Sequence, residues 1–201
     1  MTPSAAVAAP HRRDARRDEL AESALRTLGE LGYARTSLRE IANNGPFSHG
    51  VLHYYFRDRT ELIVHSIRLY KSRCVTRYDT AVDEATTAAG LATAFGDKLV
   101  ETIVDEGPMH RLWYDLRTQS MFEPELRAAV LTIDEALEAM VCRVVERYAQ
   151  LAGTRPAVAP ATAYAMLDGL FERALLGHLT GQPHVLDDLR TNAAVALRLV
   201  A

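Results

Sequence analysis

An all-helical chain in two parts, a small three-helix unit at the N-terminus and a larger helical body behind it, is what this sequence predicts. Three observations carry that prediction. Apolar residues recur at helical spacing from His11 to Leu31 and throughout the stretch after Gly90, and no run alternates as a strand does. Between Thr36 and Arg59, two short segments each open on a capping residue and flank the turn Asn43-Asn44-Gly45-Pro46. Later breaks at Gly107-Pro108, Glu123-Pro124, Gly153 to Pro160 and Gly181-Gln182-Pro183 are spaced one helix apart.

In chain order, residues 1–10 are small and apolar but lack the charged segment and long hydrophobic run of a signal peptide. They read as a disordered leader. The first helix, His11 to Leu31, aligns Leu20, Ala21, Ala24, Leu25, Leu28 and Leu31 and stops at Gly32. Arg12, Arg13, Arg16 and Arg17 crowd its front, either as a solvated face balanced by Asp14, Asp18 and Glu19 or as phosphate contacts. Ser37 and Glu40 form a capping box for the second helix, whose apolar side is Leu38, Ile41 and Ala42. Gly45 is expected to take the left-handed conformation in the turn, because Pro46 cannot. Ser48 caps the third helix, Phe47 and Leu52 have the spacing of a hydrophobic staple, and Asp58 with Glu61 repeats the capping box for the fourth. Two short helices about a glycine-containing turn make a helix-turn-helix.

The outward side of the third helix carries small, imidazole and phenol groups, with Leu52 and Phe56 turned to the core. No carboxylate stands among His49, Gly50, Val51, His53 and Tyr54. Such a surface suits close approach to a phosphate backbone and base edges. Charge points the same way: residues 1–60 hold nine arginines, no lysine and seven acids, so +2 of a chain total of −3 sits at the front.

Here the chain resembles the TetR family of bacterial transcriptional regulators. The matching residues are Thr36, Leu38-Arg39-Glu40-Ile41-Ala42, Ser48-His49-Gly50 and His53-Tyr54-Tyr55-Phe56, about a quarter of the chain. The family usually has glycine where Pro46 stands, a small aliphatic residue at Phe47, and the reverse order at His53-Tyr54. The resemblance implies an N-terminal helix-turn-helix DNA-binding domain over 11–58 and a helical ligand-binding and dimerisation domain over 59–201. It also implies a homodimer bound to a palindromic double-stranded DNA operator, a repressor released by a small-molecule effector of unknown identity. DNA contacts are expected from Thr36, Ser37, Arg39, Ser48, His49, Gly50, Val51, His53, Tyr54, Tyr55 and Arg59. Arg39 is the candidate for a guanine edge and Arg59, where the family commonly has lysine, for phosphate.

The fourth helix runs from Arg59 through Leu62, Ile63, Ile67, Leu69 and Tyr70 to Thr80 or beyond. Five more are expected near 91–106, 108–121, 124–151, 160–180 and 183–200. Bulky and soft residues collect in the middle of the body: Phe95, His110, Trp113, Tyr114, Met121, Phe122, Met140 and Cys142. They are either an effector pocket or plain core. Trp113-Tyr114 and Phe122-Glu123-Pro124-Glu125-Leu126 resemble the BetI-type branch of the family, whose best-known member answers to choline. The last two helices present apolar faces through Leu167, Leu170, Phe171, Ala174 and His178, and through Leu189, Ala193 and Leu197. In the family such helices form a four-helix bundle between subunits, although burial within one subunit explains part of the pattern.

No phosphate loop, nucleophile elbow or metal triad marks an enzyme, and no cofactor or metal is expected. His49 and His53, four apart, lack sequence-adjacent partners for a metal. Cys74 and Cys142 have neither metal nor redox spacing, so both read as core thiols of a cytoplasmic protein. No apolar run reaches membrane-spanning length. The alternative function is a helical small-molecule-binding or interaction protein that no longer reads DNA, which the Pro46 turn keeps open.

Overall fold

Ser37 and Ser48 do what their types dictate: each hydroxyl accepts a backbone N–H three residues on, from Glu40 at 3.2 Å and from Val51 at 3.4 Å. Those caps open α2 (Leu38–Asn43) and α3 (His49–Tyr55), behind α1 (Ala8–Leu31). The computed structural model describes residues 8–201, with side chains from Arg12 onward. Most of the expected leader lies outside the described residues, and α1 begins at Ala8. Gly32, at φ +75°, ends α1 as a left-handed cap. All regular structure among the described residues is helical, as the sequence predicts.

Two compact units are present. The first comprises the described residues up to Ser72 together with Asp115–Val130. It contains α1 to α3, most of α4 (Arg59–Cys74), the end of α6 (Ala88–Gln119) and the start of α7 (Pro124–Ala152). Its core is built from Leu20, Leu28, Ile41, Leu52, Phe56, Leu62 and Ile63, each at most 1% exposed. Asp58 caps α4 through the Glu61 N–H at 2.8 Å. The returning Glu61 carboxylate accepts from the Arg57 N–H, one residue before the cap, also at 2.8 Å.

Gly45 corrects an expectation. It is not among the glycines with positive φ, which are Gly32, Gly153 and Gly181. Its reason is close approach: a Cβ there would lie 2.4 Å from Ser23 Oγ and 2.9 Å from the Ile41 carbonyl oxygen. Asn44 carries the turn instead, donating its side-chain amide to Thr27 Oγ1 at 3.1 Å and to Glu30 at 3.2 Å.

The second unit holds Arg73–Tyr114 and Leu131–Ala201. Here α4 stops at Cys74, short of the expected Thr80, and α5 (Asp79–Glu84) follows a turn. Two arginines of α7 fix that interruption. Arg143 donates to the Val75 carbonyl at 2.5 Å and to Asp79 at 2.8 Å, and Arg147 donates to the Val82 and Ala85 carbonyls at 3.2 and 2.8 Å. The carbonyls at the C-terminal end of α5 are thereby satisfied by Arg147 rather than by more helix, and Asp79 at its start is held by Arg143. The expected break at Gly107-Pro108 is a kink: Glu106 leaves helical geometry (φ −128°, ψ 19°), and α6 continues through Pro108. α8 (Pro160–Leu179) and α9 (Val185–Val200) close the chain and pack on each other. No helix among the described residues is long and apolar enough to cross a membrane.

Candidate nucleic-acid interface and effector region

α3 is anchored by Leu52, which is fully buried, and by Phe56 just after its end. His49, Gly50, His53 and Tyr54 are exposed, Tyr54 by 75%, while Val51 and Tyr55 are half-buried. Gly50 has nothing within 4 Å of the place a Cβ would occupy. The chain itself therefore gives no steric reason for glycine at this helical position, where alanine is favoured by roughly 0.5–1 kcal/mol. On the preceding helix Arg39 is exposed, opposite the buried Leu38 and Ile41. Ser48 is exposed and Ser37 half-buried, each with its hydroxyl used as a cap.

Two expected contacts are corrected. Thr36 is 1% exposed and donates its hydroxyl to the Gly32 carbonyl at 2.7 Å, so its side chain tethers the turn from inside. Arg59 does not point outward. Its guanidinium stacks 4.1 Å over the Tyr33 ring and donates to the Tyr33 carbonyl at 2.9 Å. Among the front arginines, Arg17 is likewise engaged, with Glu61 at 2.8 Å and over the Phe56 ring at 4.5 Å. Arg16 lies over Phe47 and pairs with Glu19, while Arg12 and Arg13 are exposed.

Sequence reasoning missed the Tyr33 cluster. The Tyr33 N–H donates to Asp115 at 2.7 Å and its phenol to Glu123. Burial, then the bond to Glu123, holds that phenol above its usual range. These partners lie 82 and 90 residues away, beyond any local pattern.

Electrostatics at the α3–α4 junction have a testable sign. The Glu61 N–H, then Arg57, holds the Asp58 carboxyl below its usual range; the Arg57 N–H, then Arg17, does the same for Glu61. Depressed folded-state values add stability above the unfolded carboxylate range, and that stability is lost as pH falls through the folded values. Glu61→Gln is therefore expected to lower the urea midpoint at neutral pH and to differ less from wild type near about pH 3. A midpoint difference that stays constant across that range rules the linkage out.

The expected effector residues separate into two sets. Phe95, Trp113, His110 and Met140 are buried in the second unit, Phe95 edge-on to Tyr78 at 4.9 Å and His110 edge-on to Phe171 at 5.0 Å. Tyr114 donates to Asp168 at 2.9 Å, and burial, then the Asp168 charge, raises its phenol. Cys142 is half-buried, with its thiol raised by burial. Met121 and Phe122 are corrected: they stand 70% and 77% exposed in the α6–α7 turn of the first unit and enclose nothing. A cleft of ≈ 180 Å³ in the second unit is lined by charged groups instead, among them Arg77, Lys98 and Glu106, with Arg77 and Glu106 paired at 2.6 Å.

The expected dimer residues lie mostly inside one chain. Leu167, Phe171, Ala174, Leu189, Ala193 and Leu197 are buried within one chain, and Leu170 and His178 are half-buried. The apolar residues left outside on these helices are Met166, Leu176 and Leu179 of α8 and Val195 and Leu199 of α9. Gly169 of α8, exposed with nothing within 4 Å of a Cβ position, lies on the same helical stripe as Met166 and Leu176.

A doubly capped helix pair whose second member shows an acid-free face is the arrangement of a helix-turn-helix. The comparisons agree. Residues 20–65 match the model of the bacterial regulatory proteins of the tetR family. The HTH-type transcriptional regulator BetI of Burkholderia mallei (strain NCTC 10229) is 29% identical over 191 residues, 92% of this chain and 90% of that one. BetI of Paraburkholderia xenovorans (strain LB400) is 26% identical over 176 residues, 85% and 86% of the two chains. A transcriptional regulator from Saccharomonospora viridis in complex with choline shares the fold at TM-score 0.74 and 17% identity, covering 92% and 96%. So does FadR from Bacillus subtilis in complex with stearoyl-CoA, at 0.72 and 15%, covering 89% and 96%. Over residues 20–65 the chain matches the tetR-family model, and along most of its length it is similar to BetI transcriptional regulators.

Proposed function

We propose that this protein is a dimeric repressor whose α3 helices enter successive major grooves of a palindromic operator, and which a small molecule bound in the second unit releases. The observation that carries the reading is Gly50, an exposed helical glycine with open space around it, on a face of imidazoles and phenols without a carboxylate. A second copy is expected against Met166, Gly169 and Leu176 of α8 and Leu199 of α9. Two head domains on one twofold axis then match two half-sites.

Release has a physical route. α6 and α7 each have residues in both units, and Asp115 of α6 and Glu123 just before α7, which hold Tyr33, lie in the first. An effector that binds one arrangement of α6 more tightly than another shifts the α1–α2 turn with it. The choline and stearoyl-CoA complexes of the two neighbours support a small-molecule effector as a class. The alternative is a ligand-binding protein that no longer reads DNA; the hydrogen bonds of Asn44 and the formed Ser48 cap in the Pro46 turn are compatible with the DNA-reading function.

The test is a salt-titrated binding measurement on duplex DNA from upstream of the gene and on random duplex. Wild type is expected to lose operator affinity steeply with salt. Arg39→Ala is expected to weaken operator binding by about 1–3 kcal/mol, a factor of roughly ten to a hundred, with a much smaller loss on random DNA. Equal losses on both duplexes refute base reading by Arg39.

A further inference from the structure

His49 and His53 share one exposed side of α3, one turn apart, with ring centroids 4.5 Å apart and planes at 79°. A metal ion held by one nitrogen of each ring sits about 2.0–2.1 Å from both nitrogens, which places the centroids of two adjacent ligands on the order of 4.5–5 Å apart. The observed separation is close to that requirement, and rotation of the two exposed side chains from their edge-on contact is what turns one nitrogen of each toward a common ion. Imidazoles four apart on a helix are a recurring zinc-binding arrangement. The remaining described histidines are differently engaged or elsewhere. His65 bonds Asp18 at 2.7 Å, His110 stacks on Phe171, and His178 and His184 line a cleft beside α9.

We infer that His49 and His53 form a chelating site for a divalent late transition-metal ion such as Zn²⁺, placed on the surface that α3 presents to DNA. No cluster of three or more metal-binding side chains exists among the described residues, so water fills the other coordination positions. Such a site is reversible and takes up metal only when free ion is available. The ion engages both imidazoles at once and fixes their rotamers, removing the groups this face offers to a groove. Metal and operator therefore compete. The competition rests on the DNA-reading function proposed above; the chelation does not.

Zinc chloride titrated into the full chain, followed by imidazole proton resonances, tests the site. His49 and His53 are expected to shift together and saturate at one ion per chain, and EDTA is expected to reverse the change. In His53→Gln, whose replaced side chain is exposed, His49 is expected to lose at least tenfold in apparent zinc affinity. Independent responses of the two rings, or unchanged zinc affinity in the variant, overturn the site. On operator duplex, zinc is expected to weaken wild-type binding tenfold or more and to leave the residual binding of His53→Gln unchanged. Wild-type operator affinity that zinc does not move overturns the competition. If wild type fails to bind operator even in EDTA, the proposed function fails, while the resonance titration still decides the site.

Discussion

Leu176→Glu is expected to give a folded monomer that has lost operator binding. The side chain is 63% exposed within one chain, so a charge there disturbs little of the subunit's own packing. Placed at the proposed contact between copies of α8, it puts two desolvated carboxylates near a twofold axis. Losing the second head removes the effective-concentration advantage, worth about 10²–10⁴-fold for a linked pair of modules. Sedimentation should show the monomer, and operator titration the lost affinity. The contrasting substitution is Leu197→Ala at a fully buried position of α9, expected to cost about 2–5 kcal/mol of stability as a core cavity. Below its melting temperature it should remain a dimer. A dimeric Leu176→Glu protein sinks the assignment of this face.

Gly45→Ala is the second large effect. The added methyl meets Ser23 Oγ at 2.4 Å and the Ile41 carbonyl at 2.9 Å, and the second of these is backbone that cannot step aside cheaply. Overpacking of this kind costs about 1–3 kcal/mol. For a chain of this length each kcal/mol lowers the melting temperature by about 2–4 °C. Because Gly45 sits between α2 and α3, operator binding is expected to fall further than stability does. Ser23→Ala on its own is expected to be neutral or stabilising, since the buried Ser23 Oγ has no hydrogen-bond partner among the described residues. Combined with Gly45→Ala, it should relieve the first clash and leave the second, restoring part of the loss in a double-mutant cycle. A Gly45→Ala protein melting with wild type means that the turn relaxes and the contact is not rigid.

What was legible in the sequence follows the range of the interactions concerned. Caps at Ser37, Ser48 and Asp58 depend on residues three apart, and all three form. The order of the helices other than α5 and the disruption near Pro108 were legible for the same reason. The end of α4 was not, because the residue that captures Val75 is Arg143 on α7, 68 positions later. Arg59 was misplaced because a guanidinium four residues past a recognition helix looks free until Tyr33 is seen beneath it. Apolar faces on α8 and α9 were found correctly as apolar. Periodicity alone does not divide a face between a chain's own interior and a second copy, and the exposed Leu176 and Leu199 fell outside the expected set.

The capture of α5 at both ends by Arg143 and Arg147 has a further consequence for motion. Six residues with no buried side chain hold little free energy of their own. The persistence of this segment is inherited from α7, so the two open and close as one fluctuating element rather than as independent pieces. A slip of α7 by a fraction of a turn would release the Asp79 carboxylate and the Val82 and Ala85 carbonyls together, and the short helix would melt in step with it.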